Sequence, residues 1–422
     1  MKVLILNTHS ALNSGDAGVV LAQARFLQRK FPGVRISIVS RTPRFDESFY
    51  APFQITVLPY LFPVPSLFSS RHEKIWHVVK GGLSVSAQTR LIREIRKSDL
   101  IVCSGGGYFY THRRLWPGPM FLQNFFPVKI AAASRKTIVF FPQSFGPLFS
   151  PLASRWLKGL LESEAVVRIY ARESASRAFL GNLLSRPAAQ KMDLCPDMAF
   201  LLKKDSGSSP MPRVGDRPRP VLVLTARQWD FPMTKSRQEK RGRQRSYLSV
   251  LEETSLEFYR RWRGSVVIVP QARGPGFFED DRIPSRHIWE RLKKHIPETH
   301  LAWIDLPPVV SPFRLMEILS QADLILATRF HSAIFGMISG IPVISLAYQA
   351  KSASTMEWLK LDEWSIPITE IHAENIIHLA DRILRNKAEI QVSILRQIAR
   401  AQETIEARLG LFLESLLESR ET

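Results

Sequence analysis

Short apolar runs alternate with amphipathic stretches along the whole chain. Runs such as Val3–Leu6 and Leu324–Ala327 lack polar alternation, which is typical of strands buried on both faces of a parallel sheet. Between the runs, stretches such as Ala17–Lys30 and Ser84–Lys97 carry apolar residues at helical spacing. This alternation predicts doubly wound parallel α/β sheets. Further strands are predicted at Ile36–Val39, Ile55–Leu58, Leu100–Cys103, Thr137–Phe141, Val166–Tyr170, Val221–Leu224, Val266–Val269, Leu301–Ile304 and Val343–Leu346.

One stretch interrupts the alternation. Residues 205–220 are turn formers and charges without periodicity, as is typical of a linker. A chain of 422 residues also exceeds the size at which one core keeps growing. We therefore predict an N-terminal Rossmann-like domain over residues 1–204, a linker over 205–220 and a C-terminal Rossmann-like domain over 221–385. Residues 386–422 are predicted to form a C-terminal helix, which could pack back onto the N-terminal domain.

The most informative segment runs from Asp323 to Gly336. Arg329 and His331 come directly after a buried strand, and an apolar helix begins at once. In open α/β sheets, ligands bind at the carboxyl ends of the strands, where helix N-termini offer free N–H groups and a positive dipole end. Arg329 and His331 therefore belong either to an anion site or to an ion pair and a helix cap. The segment alone does not decide between these readings.

Cationic and amide side chains follow other predicted strands as well. A solvated surface would scatter such side chains along helices, whereas here they gather at strand ends, where the crevice of a doubly wound sheet lies. The residues in these positions are Arg172, Arg227, Gln271 and Arg273. Their placement favours an anion site.

Glycine-rich turns occupy similar positions. Such turns permit close approach of the backbone and let N–H groups face a ligand. They comprise Gly15 with Asp16, then Gly105, Gly106 and Gly107, and finally Gln143 with Gly146. Asp16 is also a candidate cap for the first helix. No turn forms a G-x-G-x-x-G or P-loop motif, so neither dinucleotide binding nor ATP hydrolysis is predicted.

Composition excludes several classes of protein. The apolar share of 45% is that of a globular chain, and the pair Cys103 and Cys195 fits a reducing cytosol. No apolar run approaches the ~18 residues that span a bilayer. The ten histidines form no His-x-x-x-His pair, and Asp280-Asp281 reads as plain surface, so no metal site is predicted. We expect a cytoplasmic protein, with a peripheral position at the inner face of the membrane left open.

The net charge of +20 is unusual. Such a field attracts polyanions, including nucleic acid, anionic lipid, phosphorylated metabolites and sugar nucleotides. No zinc-finger spacing, aromatic RNA-binding signature or bZIP-like helix accompanies it, so no nucleic acid partner is predicted. Residues 235–245 form a basic run. This run reads either as a solvated, mobile loop or as an arm that holds a polyanionic acceptor or an anionic membrane.

Taken together, the motifs resemble those of the polysaccharide pyruvyl transferases, which move the pyruvyl unit of phosphoenolpyruvate onto a sugar as a ketal. The resemblance covers nearly the whole chain and implies a fold similar to GT-B glycosyltransferases, with two Rossmann-like doubly wound domains facing a central cleft. The motifs are Asn13-Ser-Gly15-Asp16, Ser104-Gly-Gly-Gly107, Gln143-Ser-Phe-Gly146-Pro147, Arg172-Glu173-x-x-Ser176, Asp197-Met-Ala-Phe200, Thr328-Arg-Phe-His331 and Tyr348-Gln-Ala-Lys351. The chain departs mildly at Phe330, where the family commonly has Leu, and at Glu173, where Asp is more frequent.

The resemblance also implies roles for individual residues. His331, Arg172 and Lys351 are expected to be catalytic, with His331 as the acid and base. Arg329, Arg172 and Lys351 are expected to hold the carboxylate and phosphate of phosphoenolpyruvate, and Arg227 joins them through its strand-end position. No cofactor is expected besides phosphoenolpyruvate as co-substrate.

The acceptor stays open at this stage. A lipid-linked oligosaccharide, a nucleotide sugar and a polysaccharide repeat all fit a role in exopolysaccharide or cell-surface glycan biosynthesis. Two other functions also remain open. One is a GT-B glycosyltransferase that uses a nucleotide sugar, and the other is a non-catalytic protein that binds anionic glycans.

Overall fold

A computed structural model describes residues 1–61, 85–111, 115–203, 214, 216–229, 231, 234, 236–276 and 279–421. The chain divides into two compact units. Unit 1 comprises Met1–Ala11, Val19–Leu201 and Gln402–Thr422, and unit 2 comprises Leu12–Gly18 and Leu202–Ala401. The opening turn of the first helix thus belongs to unit 2. Most of the predicted linker lies outside the described residues.

Unit 1 is built on an eight-stranded sheet whose strands pair in parallel. Its strands are β1 (Lys2–Leu6), β2 (Arg35–Ser40), β3 (Ile55–Pro59), β4 (Leu100–Cys103), β5 (Gly107–Thr111), β6 (Thr137–Leu148), β7 (Val166–Ala171) and β8 (Met192–Leu194). The order is β3-β2-β1-β4-β6-β7-β8, and β5 pairs with β6 off this path. The chain reverses its direction of travel across the sheet between β1 and β4, which creates the switch point of a doubly wound fold.

The helices of unit 1 connect these strands. They are α1 (Ser14–Lys30), α2 (Pro43–Tyr50), α3 (Val85–Lys97), α4 (Pro119–Ala133), α5 (Pro151–Leu161), α6 (Ser174–Leu183) and α7 (Arg186–Ala189). The central strands are apolar at consecutive positions, and β4 is buried throughout. A strand covered on both faces needs this pattern, which explains why continuous apolar runs marked the strands in the sequence.

Unit 2 is built on a six-stranded parallel sheet. Its strands are β9 (Val221–Thr225), β10 (Ser265–Ile268), β11 (Leu301–Trp303), β12 (Leu324–Ala327), β13 (Val343–Ala347) and β14 (Ser365–Pro367). Its helices are α8 (Arg237–Trp262), α9 (Arg282–Leu292), α10 (Pro312–Leu319), α11 (Phe330–Ile338), α12 (Ala350–Trp358) and α13 (Ala373–Arg385). The order β11-β10-β9-β12-β13-β14 is the Rossmann order, with its switch point between β9 and β12.

The chain ends in α14 (Lys387–Ile405), a π-helical turn at Glu406–Gly410 and α15 (Leu411–Glu421). From Gln402 onward these residues belong to unit 1. Arg408 donates hydrogen bonds to the Asp193 carboxylate at 2.7 Å and to the Leu194 carbonyl, and its own carbonyl accepts from the Tyr170 hydroxyl at 2.9 Å. The end of the chain is therefore fastened beside β7 and β8.

Two segments differ from their predicted structure. Gln143 and Gly146 were expected in a loop, but β6 continues through both, because β5 pairs with its second half from Gly107 onward. The basic run was expected as a loop or arm, but from Arg237 it forms the first turns of α8. Ser236 caps this helix, since its hydroxyl accepts from the Glu239 N–H at 3.0 Å.

Candidate functional site

The candidate site lies at the carboxyl ends of the central strands of unit 2. β9 and β12 are hydrogen-bonded neighbours, and beyond their ends the Thr328 N–H donates to the Thr225 carbonyl at 3.1 Å. Arg227 follows β9 and Arg329 follows β12. This is the switch point of the sheet, where a crevice for ligands forms in doubly wound folds.

Arg329 is held by a buried carboxylate. Its Nε donates to both oxygens of Asp281 at 2.9 Å, and its Nη2 donates to the same carboxylate and to the Glu279 carbonyl. Asp280 is 8% exposed and Asp281 is 0% exposed, so the prediction that Asp280-Asp281 is plain surface was wrong. Burial by itself lowers the pKa of Arg329, but Asp281 outweighs burial and the pKa lies above its ordinary value. Arg329 is thus a permanent cation.

Arg227 lies half-buried in an aromatic setting. Its guanidinium is 4.1 Å from the ring centre of Tyr348 and 4.9 Å from that of Trp229, which are favourable cation–π distances. Burial lowers the pKa of Arg227, and the nearby Arg329 lowers it further. Arg227 forms no ion pair with any described carboxylate. Arg227 and Arg329 are therefore neighbouring cations, of which one is paired with Asp281.

Tyr247 connects these strand ends from α8. Its hydroxyl hydrogen-bonds with the Thr328 hydroxyl at 2.9 Å and accepts from the Arg227 N–H at 3.2 Å. Burial raises the pKa of Tyr247 to about 12, so the phenol stays neutral. Sequence reasoning missed Tyr247, since a tyrosine within a long helix carries no mark of such a role.

Lys351 lies in the first turn of α12, after β13. Its Nζ is 5.5 Å from the ring centre of Phe330 and 5.9 Å from that of Tyr348. Because Tyr348 also stacks on Arg227, the structure brings Lys351 into the same group as Arg227 and Arg329. The predicted cations of unit 2 therefore cluster.

His331 lies in the first turn of α11, which begins after Arg329. Its ring is 8% exposed and lies 5.0 Å from the ring of Phe330 and 6.1 Å from that of Phe335, measured between ring centres. Gly15 packs on the imidazole, and a Cβ built on Gly15 would lie 2.7 Å from His331 Cγ. Gly15 is needed here because any side chain would displace the histidine.

The segment Leu12–Gly18 is fastened to unit 2 by its own polar groups. Asn13 caps α1, since its Oδ1 accepts from the Gly15 N–H at 3.0 Å, while its amide donates to Asp16 at 2.7 Å. Asn13 thus takes the capping role predicted for Asp16. The Ser14 hydroxyl donates to the Val310 carbonyl at 2.9 Å. The Gln271 amide donates to Asn13 Oδ1 at 3.3 Å, and its carbonyl oxygen accepts from Ser332.

Arg172 lies in unit 1, within a buried polar network. Its Nη1 donates to Asp197 at 2.7 Å, and its Nε donates to the Ser144 hydroxyl at 2.8 Å and to Glu173 at 3.3 Å. Glu173 also accepts from Ser144 at 3.0 Å and from Ser176. The network joins motifs that lie far apart in the sequence. The bonds named here join strand ends of unit 1.

The remaining turn residues pack against protein. Gly105 and Gly106 lie between β4 and β5, and Gly107 begins β5. A Cβ on Gly105 would lie 2.9 Å from the Pro142 carbonyl oxygen, while one on Gly146 would lie 2.9 Å from the Phe179 ring. These glycines serve close packing in unit 1.

The basic run carries exposed charge along α8. Arg237, Arg241 and Arg245 recur every four residues on one side of the helix, are exposed and pair with no described carboxylate. Glu252, about two turns further on, contacts His287 at 3.3 Å and Arg291 at 3.6 Å, both on α9. The stripe therefore lies on the side of α8 that faces α9. A groove of about 720 Å³ runs along α9, and its lining includes His287 and Arg291.

Other chemistry finds little support in the described part of the chain. No group of His, Cys, Asp and Glu there could hold a metal ion. Cys103 and Cys195 are buried free thiols, and burial raises the pKa of both. No helix among the described residues is long and apolar enough to cross a membrane.

A family model described as polysaccharide pyruvyl transferase matches residues 13–350. The chain belongs to this family. It is a family of transferases, and the resemblance predicted from the motifs is confirmed. A segment of 86 residues is 34% identical to the amylovoran biosynthesis protein AmsJ of Erwinia amylovora. The match spans 20% of this chain and 20% of that protein.

Solved structures confirm the predicted fold class of two doubly wound parallel α/β units, similar to GT-B enzymes. HepE of Anabaena, in complex with UDP and glucose, has a TM-score of 0.57 at 12% identity, covering 98% of this chain and 100% of that one. A putative UDP-N-acetylglucosamine 2-epimerase from Listeria monocytogenes scores 0.58 at 11% identity over 97% and 96%. MnaA of S. aureus, in a structure with UDP, scores 0.56 at 12% identity over 97% of each chain. At these identities the likeness concerns the fold.

Proposed function

We propose that this protein transfers the pyruvyl group of phosphoenolpyruvate to a sugar as a ketal, in exopolysaccharide or cell-surface glycan biosynthesis. The observation that carries the proposal is the pair Arg227 and Arg329, of which only Arg329 is hydrogen-bonded to a described carboxylate, that of Asp281. Two neighbouring guanidinium groups with so few bonded counter-ions attract an anion. Family membership makes a pyruvyl donor the natural candidate.

The donor has two groups for these cations. Phosphoenolpyruvate carries a carboxylate and a phosphate, and planar guanidinium groups bind the oxygens of both. We assign Arg329, Arg227 and Lys351 to donor binding. The role that the resemblance gives Arg172 stays a prediction, because its bonds to Asp197, Ser144 and Glu173 involve protein groups.

The reaction breaks the bond between C2 and the phosphate oxygen of the donor and forms two bonds from C2 to sugar oxygens. A proton first adds to the methylene carbon, which becomes a methyl group and leaves cationic character at C2. One sugar hydroxyl adds at C2 and loses its proton. Phosphate then departs, and a second hydroxyl closes the ketal and loses its proton. One hydroxyl proton balances the new methyl group, and the other leaves with hydrogen phosphate.

His331 is the proposed proton carrier. An imidazole can donate and accept protons near neutral pH, which typically contributes 10²–10⁴-fold to a rate. The packing of Gly15 and Phe335 on its ring limits the imidazole to few orientations. We propose that the fixed charges of Arg227 and Arg329 stabilise the negative charge that develops on the phosphate as it departs.

The acceptor is proposed to be the sugar of a carrier near an anionic surface. The support is the stripe of Arg237, Arg241 and Arg245 on α8, since basic stripes bind phosphates and anionic lipid. A lipid-linked oligosaccharide carries phosphate and lies at a lipid surface, so it fits both kinds of binding. A nucleotide sugar and a polysaccharide repeat remain the other acceptors to be tested.

The deciding experiment incubates the purified protein with phosphoenolpyruvate and each class of acceptor. We expect release of inorganic phosphate together with the mass of a pyruvyl ketal on one acceptor. Parallel incubations replace phosphoenolpyruvate with UDP-sugars. Release of UDP with glycosyl transfer, and no phosphate from phosphoenolpyruvate, would establish a glycosyltransferase instead. Glycan binding without turnover of either donor would establish a binding protein.

A further inference from the structure

Asp281 is a buried carboxylate to which the proposed function gives no contact with substrate. Its position is fixed by the backbone of the preceding segment. Its Oδ2 accepts from the Ala272 N–H at 2.9 Å, and its own N–H donates to the Ala272 carbonyl at 2.8 Å. The carboxylate is thus a rigid anchor for Arg329.

This anchor determines which edge of the Arg329 guanidinium is left for a ligand. Nε and Nη2 are occupied by Asp281 and by the Glu279 carbonyl, while Nη1 donates to no group in the described part of the chain. A loose arginine side chain has about 2 kcal/mol of rotamer entropy to lose when it binds. An anchored one has already lost it, so its free edge is preorganised.

Asp281 also acts on Arg227 through charge. Besides burial, Arg329 lowers the pKa of Arg227, whereas Asp281 raises it. The charge of this carboxylate therefore favours the charged form of Arg227 as well as that of Arg329. Without it, two like charges would face each other in a buried site.

We propose that Asp281 is a positioning residue of the transfer reaction, which acts through Arg329 and holds its guanidinium group in place for the donor. This inference rests on the proposed function. If Asp281 has this role, its substitution should lower kcat much more than it weakens the binding of phosphoenolpyruvate. A misplaced Arg329 still attracts an anion, but it no longer meets the developing charge at the right place.

The test compares Asp281→Asn, Arg329→Gln and the double variant in the full-length protein. Asp281→Asn should lower kcat about 100-fold, the usual consequence of a misplacement near 1 Å. The dissociation constant of phosphoenolpyruvate, measured by calorimetry, should change less than about fivefold, because net attraction persists. In the Arg329→Gln background, Asp281→Asn should change kcat less than about threefold.

Asp280→Asn is the matched control, because Asp280 is the neighbouring residue and pairs with Arg282 at 2.5 Å. Its kcat should stay within about twofold of the unaltered protein. If Asp281→Asn does not fold, Asp281→Glu keeps the charge while shifting the guanidinium, and it should show the same loss of kcat.

Several results would overturn the inference. These are an unchanged kcat in folded Asp281→Asn, a loss of donor affinity that matches the loss of kcat, and an equal effect in both backgrounds. If the unaltered protein shows no turnover of phosphoenolpyruvate, the proposed function itself fails. Normal turnover by Asp281→Asn would remove only the positioning role.

Discussion

Each unit buries an arginine at the carboxyl end of a parallel strand, yet the two arginines are surrounded differently. Arg172 follows β7 in unit 1, with a side chain 1% exposed, and bonds to the carboxylates of both Asp197 and Glu173. Arg329 follows β12 in unit 2, with a side chain 7% exposed, and bonds to the carboxylate of Asp281 and to the Glu279 carbonyl. Asp281 also neighbours the second cation, Arg227.

The ratio of carboxylates to cations separates these two environments. Unit 1 offers two carboxylates for one guanidinium, so the charge of Arg172 is offset by protein groups, and the network cross-links strand ends. In unit 2, Arg329 is hydrogen-bonded to the carboxylate of Asp281 and Arg227 to none of the described carboxylates, so the pair favours an incoming anion. Residue type and strand-end position are the same in both units, and the counter-ions make the difference.

The largest effect is expected from His331. His331→Ala should lower turnover by 10²–10⁴-fold, since the proposed proton carrier is lost. His9 is the matched control, because it is also 8% exposed and lies just after β1 in unit 1. His9→Ala should leave most of the turnover intact. A loss below about tenfold in folded His331→Ala would remove its proposed role, and a larger loss in His9→Ala would move the chemistry to unit 1.

Paired arginine substitutions test the comparison directly. Arg172→Lys keeps the charge but loses the branched contacts to Asp197 and Ser144, and should lower the free energy of unfolding by about 1–3 kcal/mol, the cost of a buried polar group left without a partner. Arg329→Lys should instead weaken phosphoenolpyruvate binding about tenfold. Thermal unfolding and calorimetry separate the outcomes. Equal weakening of donor binding in both folded variants would show that Arg172 shares the donor role.

Gly15→Ala tests the packing of the first turn of α1 on His331. The added Cβ would collide with the imidazole, so we expect about a 10-fold loss of turnover, with up to 100-fold if the ring shifts by 1 Å. Gly242→Ala is the control, since a Cβ there meets open space within α8. It should raise stability by about 0.5–1 kcal/mol without affecting turnover. Unchanged activity in Gly15→Ala would mean that the position of the histidine is not critical.

The smallest effect concerns the surface of α8. Replacing Arg237, Arg241 and Arg245 by Gln should weaken sedimentation with anionic phosphatidylglycerol vesicles severalfold, because basic residues near an anionic surface attract it. Replacing Arg90, Arg93 and Arg96 on α3 removes the same charge from unit 1 and should matter less. Equal losses from both sets would mean that total charge, rather than the α8 stripe, attracts the membrane.

Much of the fold was predictable, because strands buried on both faces leave continuous apolar runs such as Leu324–Ala327. The errors have physical causes. Gly146 and Pro147 are residues typical of turns, but pairing with β5 extends strand β6 through both of them. In α8 the charges obscure Tyr247, Leu248 and Leu251, which recur at helical spacing and are buried.

The candidate site was predictable only in part. Arg329, His331, Arg227 and Lys351 could be found, because strand ends of a parallel sheet converge and because their motifs are distinctive. Asp281 could not, since it lies 48 residues from its partner Arg329 and within a polar loop. The only local sign of Asp281 in the sequence is the acidic pair Asp280-Asp281, which comes a few residues after Arg273. Long-range pairing of charges leaves no local pattern.

One of the residues that pack on His331, Gly15, comes from the beginning of the chain. Leu12–Gly18 belongs to unit 2, although almost two hundred residues of unit 1 separate it from Leu202. A fragment that begins after residue 201 would contain every strand of unit 2. In that fragment, however, the His331 imidazole would lack its contact with Gly15, and the Gln271 amide would lack its hydrogen bond to Asn13. Residues 202–401 therefore do not form a complete unit by themselves. Recombination that exchanged this part between relatives would succeed only if the segment Leu12–Gly18 were exchanged with it.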